Sequence, residues 1–156
     1  MEELRVAERH EIENVYREHG NRLWWAVLAY SGDREIASDA VAEAFAQALR
    51  AGSRLRSPMD WIWRVAFRIA AGELKRRRTF SSERERPYEM DHRAQHVVSS
   101  LGRLSPRQRS AIVLHYYGGY STSEIASMMG SSAPTVAVHL HRARRRLREL
   151  LGDNDE

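Results

Sequence analysis

Arg142-Ala143-Arg144-Arg145-Arg146 sets four cations within little more than one helical turn, just after a histidine pair, His139 and His141. That composition binds polyanions. Arginine bridges phosphate oxygens or the edge of guanine, and a helix carrying it can lie in a DNA major groove. A second run, Lys75-Arg76-Arg77-Arg78, could contact phosphate, although cations there also suit the negative end of a helix. Other chemistries lack their parts. The chain has no cysteine, so disulfides, thiolate metal sites and cysteine nucleophiles are excluded. Its seven histidines are scattered, and His139 and His141 point to different faces of one helix. Gly118-Gly119 has no following lysine and reads as a helix stop, not a phosphate loop. We therefore expect no enzyme, no cofactor and no metal.

The elements that would position the basic run are well punctuated. Ser121-Thr122-Ser123-Glu124 is a capping box, in which hydroxyl and carboxylate satisfy each other's backbone N–H groups. Ile125, Ala126 and Met129 give the helix an apolar face, Gly130 permits a sharp turn, and Ser132 with Pro134 opens a second helix. Val136, Leu140, Ala143, Leu147 and Leu150 form its buried stripe. Val138, His141, Arg142 and Arg145 then face away, with His139 on the flank. This is a helix-turn-helix layout.

Helical spacing recurs throughout, and no strand pattern persists. A first helix runs to about Tyr30 with Ile12, Val15, Tyr16, His19, Leu23 and Val27 on its stripe, broken by Ser31-Gly32-Asp33. Ile36 to Leu49 form a second, wide-faced helix. Ser57-Pro58-Met59-Asp60 starts a third as a capping box, with Trp61, Ile62, Val65, Ala66, Ile69, Ala70 and Leu74 apolar. Thr79 to His92 shows charge without period, and Ser105-Pro106-Arg107-Gln108 caps another helix. The fold expected is all-α: two small helical domains, 6–78 and 94–151, on a flexible linker, 79–93.

The net charge of +4 is segregated. Residues 1–50 hold six basic and ten acidic side chains, residues 51–78 eight and two, and residues 101–156 eight and five. Basic zones concentrate a polyanion, whereas the acidic first segment suits a basic protein surface. The start is charged and no apolar run reaches membrane-spanning length, so an intracellular, cytoplasmic protein without membrane insertion is expected.

In this order the pieces resemble a bacterial sigma factor of the extracytoplasmic-function (ECF) group, the minimal kind with sigma domains 2 and 4. Domain 2 is carried by Tyr16-Arg17-Glu18-His19, Arg22-Leu23, Gly32-Asp33, Asp39, Val41, Glu43-Ala44-Phe45, and Trp61-Ile62 leading to Leu74-Lys75-Arg76-Arg77-Arg78. Domain 4 is carried by Leu104-Ser105-Pro106-Arg107-Gln108-Arg109, Glu124-Ile125-Ala126, Gly130, Thr135-Val136 and Leu140-His141-Arg142-Ala143-Arg144. The resemblance implies that Asp39, Glu43 and Phe45 dock on a coiled coil of core RNA polymerase. It implies that the loop and helix start Arg56, Ser57, Met59 and Asp60, with Arg68, capture unpaired -10 bases of promoter DNA. Trp63 is expected to be exposed for stacking, and Arg76, Arg77 and Arg78 to meet phosphate. Ser132, Thr135, Val138, His139, His141 and Arg142 would approach the -35 duplex, with Arg145 and Arg146 on its backbone. An anti-sigma factor or a helper protein is a further expected partner.

The chain departs from the family pattern at several places. Arg68 and Gly72 replace an asparagine and an aspartate of the -10 region, Ala42 a glutamine of the polymerase-binding helix, and Ala137, Val138 and His139 the frequent lysine or arginine, serine and arginine of the recognition helix. Two other readings stay open: a helix-turn-helix regulator acting without polymerase, with residues 1–78 as a dimerisation or sensing module, and a degenerate sigma-like protein that binds a regulator or polymerase without starting transcription.

Overall fold

The computed structural model describes residues 2–78 and 91–152, and among them it holds seven α-helices, one short 3-10 turn and no strand. They are α1 (Glu2–Ser31), α2 (Arg34–Ala51), the turn Gly52–Arg54, α3 (Pro58–Arg78), α4 (His92–Leu101), α5 (Pro106–Tyr116), α6 (Thr122–Met129) and α7 (Ala133–Gly152). The chain is all-α.

Local chemistry explains each break. After α1, Gly32 takes φ 69°, a left-handed conformation, and its N–H donates to the Leu28 carbonyl at 2.7 Å. Asp33 then caps α2, its Oδ1 accepting from the Ile36 N–H at 3.0 Å. α1 and α2 thus form an antiparallel hairpin, and α3 packs on both. Their shared core pairs large residues (Leu23, Val27, Ile36, Ile62) with fully buried alanines on α2, Ala37, Ala40, Ala44 and Ala48. The alanines bring the helix axes close. Gly20 does not interrupt α1, because the buried packing around it outweighs a helix-propensity cost of about 1 kcal/mol.

The start of α3 differs from the expected capping box. The Ser57 hydroxyl donates to Asp60 Oδ2 at 2.8 Å, a bond between side chains, while the Ser57 carbonyl accepts from the Trp61 N–H. α4 begins two residues inside the stretch expected as linker, since Asp91 Oδ1 caps it at the Ala94 N–H, 2.8 Å away. Residues 79–90 lie outside the described residues.

In the C-terminal half the predicted capping box of Ser121 with Glu124 forms, and the cap predicted at Ser105 is also a capping box, closed by Gln108. α5 ends before Gly118-Gly119. A Cβ on Gly118 would lie 2.6 Å from both the Leu114 carbonyl oxygen and the Tyr120 ring, so the bare backbone here lets Tyr120 fold back. Gly130, at φ 64°, closes α6 with N–H bonds to Ala126 and Ser127. Ser132 Oγ accepts from the Thr135 N–H at 3.3 Å and opens α7, whose Val136, Leu140 and Ala143 pack with Ile125, Ala126 and Ile112 in the core.

The two halves touch. Arg109 of α5, only 1% exposed, donates from Nη1 to the Tyr30 carbonyl of α1 at 2.8 Å. Arg22 of α1 donates from Nε to the Tyr117 carbonyl at 2.7 Å. Tyr120 sets its ring edge-on to Trp63, centroids 5.8 Å apart.

Candidate nucleic-acid and polymerase interfaces

α7 presents a mostly polar face opposite its buried stripe. Val138 (46% exposed), His141, Arg142 and Arg145 lie on it, with Thr135 and Arg146 on its flank. Arg142 makes no ion pair among the described residues. Arg145 and Arg146 both approach Glu149, at 3.9 and 3.3 Å. These are exposed pairs of small net value that a phosphate can displace. Ser132 and Thr135 share a hydroxyl hydrogen bond of 2.7 Å at the helix start. His139 is half-buried and its Nε2 is covered, so only the rest of the ring is available to a ligand. Arg144, next in the run, is turned aside: its Nε donates to the Tyr116 hydroxyl at 2.8 Å and its guanidinium lies over that ring.

The second surface lies along α3. Arg56 and Ser57 are exposed before it, Met59 and Asp60 are half-buried, and Asp60, Arg64 and Arg68 follow one another at four-residue spacing on one helix face. This face lines two adjoining cavities against the C-terminal half. One, of about 550 Å³, is bounded by Arg54, Arg56, Asp60 and Arg64 on one side and Tyr120 and Glu124 on the other. The other, of about 420 Å³, joins Arg64 and Arg68 to Arg107, Met128 and Met129. Burial, with the nearby Asp60 carboxylate, pushes the Tyr120 phenol above its usual range. At the far end of α3, Arg77 Nη1 binds Asp33 Oδ2 at 2.6 Å and lies 3.6 Å from Glu35, while Arg76 pairs with Glu73. The Arg78 side chain lies outside the described residues.

The third surface is on α2. Asp39 and Glu43 are exposed one turn apart, and Glu43 Oε1 accepts from Gln47 and Arg50, both at 3.0 Å. Those bonds, Gln47 first, hold its carboxyl below the usual carboxylate range. Beside the acids runs a groove of about 370 Å³ between α1 and α2, lined by Ile12, Tyr16, Arg17, Phe45, Ala46 and Leu49. Phe45 is only 6% exposed and meets the Tyr16 ring edge-on at 5.0 Å. Tyr16, placed by its spacing on the apolar stripe, is 58% exposed.

Residues 96–147 match the family model described as Sigma-70, region 4. Across the chain, a protein of Mycobacterium tuberculosis named ECF RNA polymerase sigma factor SigL is 29% identical over 153 residues, spanning 88% of this chain and 86% of the relative. RNA polymerase sigma factor CarQ of Myxococcus xanthus is 25% identical over 167 residues, spanning 98% and 96%. Over most of its length the chain is similar to RNA polymerase sigma factors. Among solved structures the fold is similar to CnrH in its complex with the cytosolic domain of CnrY, with a TM-score of 0.75 at 22% identity over 97% of this chain and 94% of that one. It is also similar to the sigma factor RpoE of Bartonella quintana in its complex with the anti-sigma factor NepR, with a TM-score of 0.73 at 20% identity over 91% and 99%.

Several residues of this chain stand elsewhere than the sequence suggested. Trp63, expected to be exposed, is 3% exposed between Phe67 and Tyr120, because its cover comes from the C-terminal half and no helical wheel of α3 contains it. Trp61, expected in the core, is half-buried. Two of the three arginines ending α3 already hold carboxylates. Sequence reasoning missed Arg64, which faces both cavities; its spacing from Asp60 and Arg68 was the available signal. It also missed the groove, whose signal was Phe45 with Leu49 beside the acidic row.

Among the described residues no helix is long and apolar enough to cross a membrane, and no three His, Asp or Glu side chains gather as a metal site.

Proposed function

We propose that this chain is a cytoplasmic initiation factor that binds core RNA polymerase through Asp39, Glu43 and the groove beside Phe45, and directs it to promoters. In this reading residues 6–78 hold polymerase and the -10 strand, residues 94–151 hold the -35 duplex, and 79–93 connect them. The observation that carries the reading is α7: a capped helix-turn-helix whose second helix buries Val136, Leu140 and Ala143 and leaves Val138, His141, Arg142 and Arg145 facing out. The relatives' names, ECF RNA polymerase sigma factors, support the polymerase half. Arg56, Ser57, Met59, Asp60 and Arg68 would meet unpaired -10 bases. CnrH bound to the cytosolic domain of CnrY, and RpoE bound to the anti-sigma factor NepR, support an anti-sigma factor as a further partner. The test is co-purification with core polymerase followed by run-off transcription on a library of promoter templates. Binding with promoter-dependent transcripts is expected. Binding without transcripts would favour the degenerate sigma-like reading, which the covered Trp63 and the occupied Arg77 also suit. No binding to core would leave a helix-turn-helix regulator.

The recognition helix separates two kinds of contact. Replacing His141 or Arg142, and to a lesser degree His139 with its covered Nε2, is expected to change -35 preference by about 1–3 kcal/mol per discriminated base pair. Arg145→Ala or Arg146→Ala is expected to weaken all sequences alike and lower the salt slope by about one. Titration of a -35 duplex library at two salt concentrations reads both. Equal losses on every sequence for the His141 and Arg142 variants would show a helix that positions without reading bases.

A further inference from the structure

The outer face of α7 changes character along its length. No Asp, Glu, Lys or Arg stands between Glu124 and Arg142, so the turn and the first part of α7, from Ala133 to His141, carry no fixed charge. Every arginine of the helix lies from Arg142 onward. The N-terminal turns of a helix lying in a major groove are the ones that reach base edges. Bases there meet side chains that cannot form a charged hydrogen bond.

Val138 stands at the middle of that uncharged face. It follows the fully buried Val136 by two residues, about 200° round the helix, and so lies almost directly opposite the packing stripe. Its side chain is exposed. Its neighbours add little polar reach. Pro134 and Ala137 are exposed and apolar, the Thr135 hydroxyl is already joined to Ser132 at 2.7 Å, and His139, on the flank, keeps its Nε2 covered. A branched alkyl group has no donor or acceptor with which to read a base edge. The feature of the major groove that it can recognise is the thymine 5-methyl, whereas the amino group of cytosine or the O6 and N7 of guanine would lose water against it and gain no partner. An exposed valine alone is ordinary on a protein surface. What gives this one meaning is its place at the centre of an uncharged surface that leads into the arginines.

We propose that Val138 reads a thymine methyl in the -35 duplex, so that α7 selects thymine through its first turns and leaves the charged contacts to Arg142 and the residues after it. The assignment rests on the duplex-reading role proposed above for α7. Arg142 is one turn further along, about 6 Å, and successive base pairs are about 3.4 Å apart, so the thymine falls within about two base pairs of the one that Arg142 meets. The test is made mainly on the DNA. A duplex selected from the -35 library by the full chain is made again with each thymine replaced in turn by deoxyuridine, which removes the 5-methyl and leaves the pairing edge intact. At one position this should weaken binding about fourfold, the share of one buried methyl-sized group. The salt slope should not change, because no phosphate contact is touched. Cytosine at that position should bind more weakly than thymine, and 5-methylcytosine should recover part of the loss. In Val138→Ala, whose helical circular dichroism should match that of the parent because the side chain is exposed, the thymine and deoxyuridine duplexes should bind within about twofold of each other. Deoxyuridine tolerated at every position, or a fourfold loss that persists in Val138→Ala, overturns the assignment to Val138 and leaves the duplex-reading role of α7 standing. Failure of the library to yield any preferred duplex overturns that role, and the valine assignment falls with it.

Discussion

Asp39→Arg combined with Glu43→Arg is expected to weaken association with core RNA polymerase by about 100-fold or more, the effect of setting like charges against a basic docking surface. Both side chains are exposed on α2, whose buried face of Ile36, Ala37, Ala40, Ala44 and Ala48 is untouched, so the helix should persist. Glu43 matters twice: its carboxylate gathers Gln47 and Arg50, and a cation in its place would face Arg50 without a counter-charge. Pull-down of core enzyme with circular dichroism as the fold control checks the expectation. Retained pull-down by the folded double variant would move the docking site off this face.

Val136→Asp acts on the other half. Val136 is fully buried where α7 packs on the helices before it, and a carboxylate there has no partner, at a cost of about 3 kcal/mol or more. The helix-turn-helix should lose its cooperative melt and its -35 duplex binding. Core association through α2 should survive, because the α1, α2 and α3 core closes without α7. Loss of core association together with DNA binding would show that the halves do not act separately, against the division at the linker.

The helix-turn-helix was legible in the sequence because everything that makes it is local: Ser121 and Glu124 three apart, Gly130 at the turn, and the Val136, Leu140, Ala143 stripe. The hairpin break at Gly32-Asp33 was legible for the same reason. What escaped depends on distant neighbours. Trp63 owes its burial to Tyr120, fifty-seven positions along the chain, and Arg109 reads as a surface arginine until the end of α1 is placed against it. Periodicity also gives a helix its apolar face without saying where the opposing helix stops. α1 has 30 residues and α2 has 18, so the first turns of α1 outrun their partner and leave Leu4 and Val6 exposed.

Asp33 binds twice, with Oδ1 on the Ile36 N–H and Oδ2 on Arg77. Arg77 therefore arrives at any polyanion already neutralised by a group that cannot diffuse away. A phosphate that takes this arginine must exchange with Asp33 and, in doing so, strips the cap of α2 of the cation beside it. Such an exchange frees no additional ion to solution beyond those the phosphate itself sheds, and it leaves a bare carboxylate next to DNA. The last turn of α3 thus carries an exchangeable charge and not a fixed patch: a strand would engage Arg77 only by out-competing the protein's own anion.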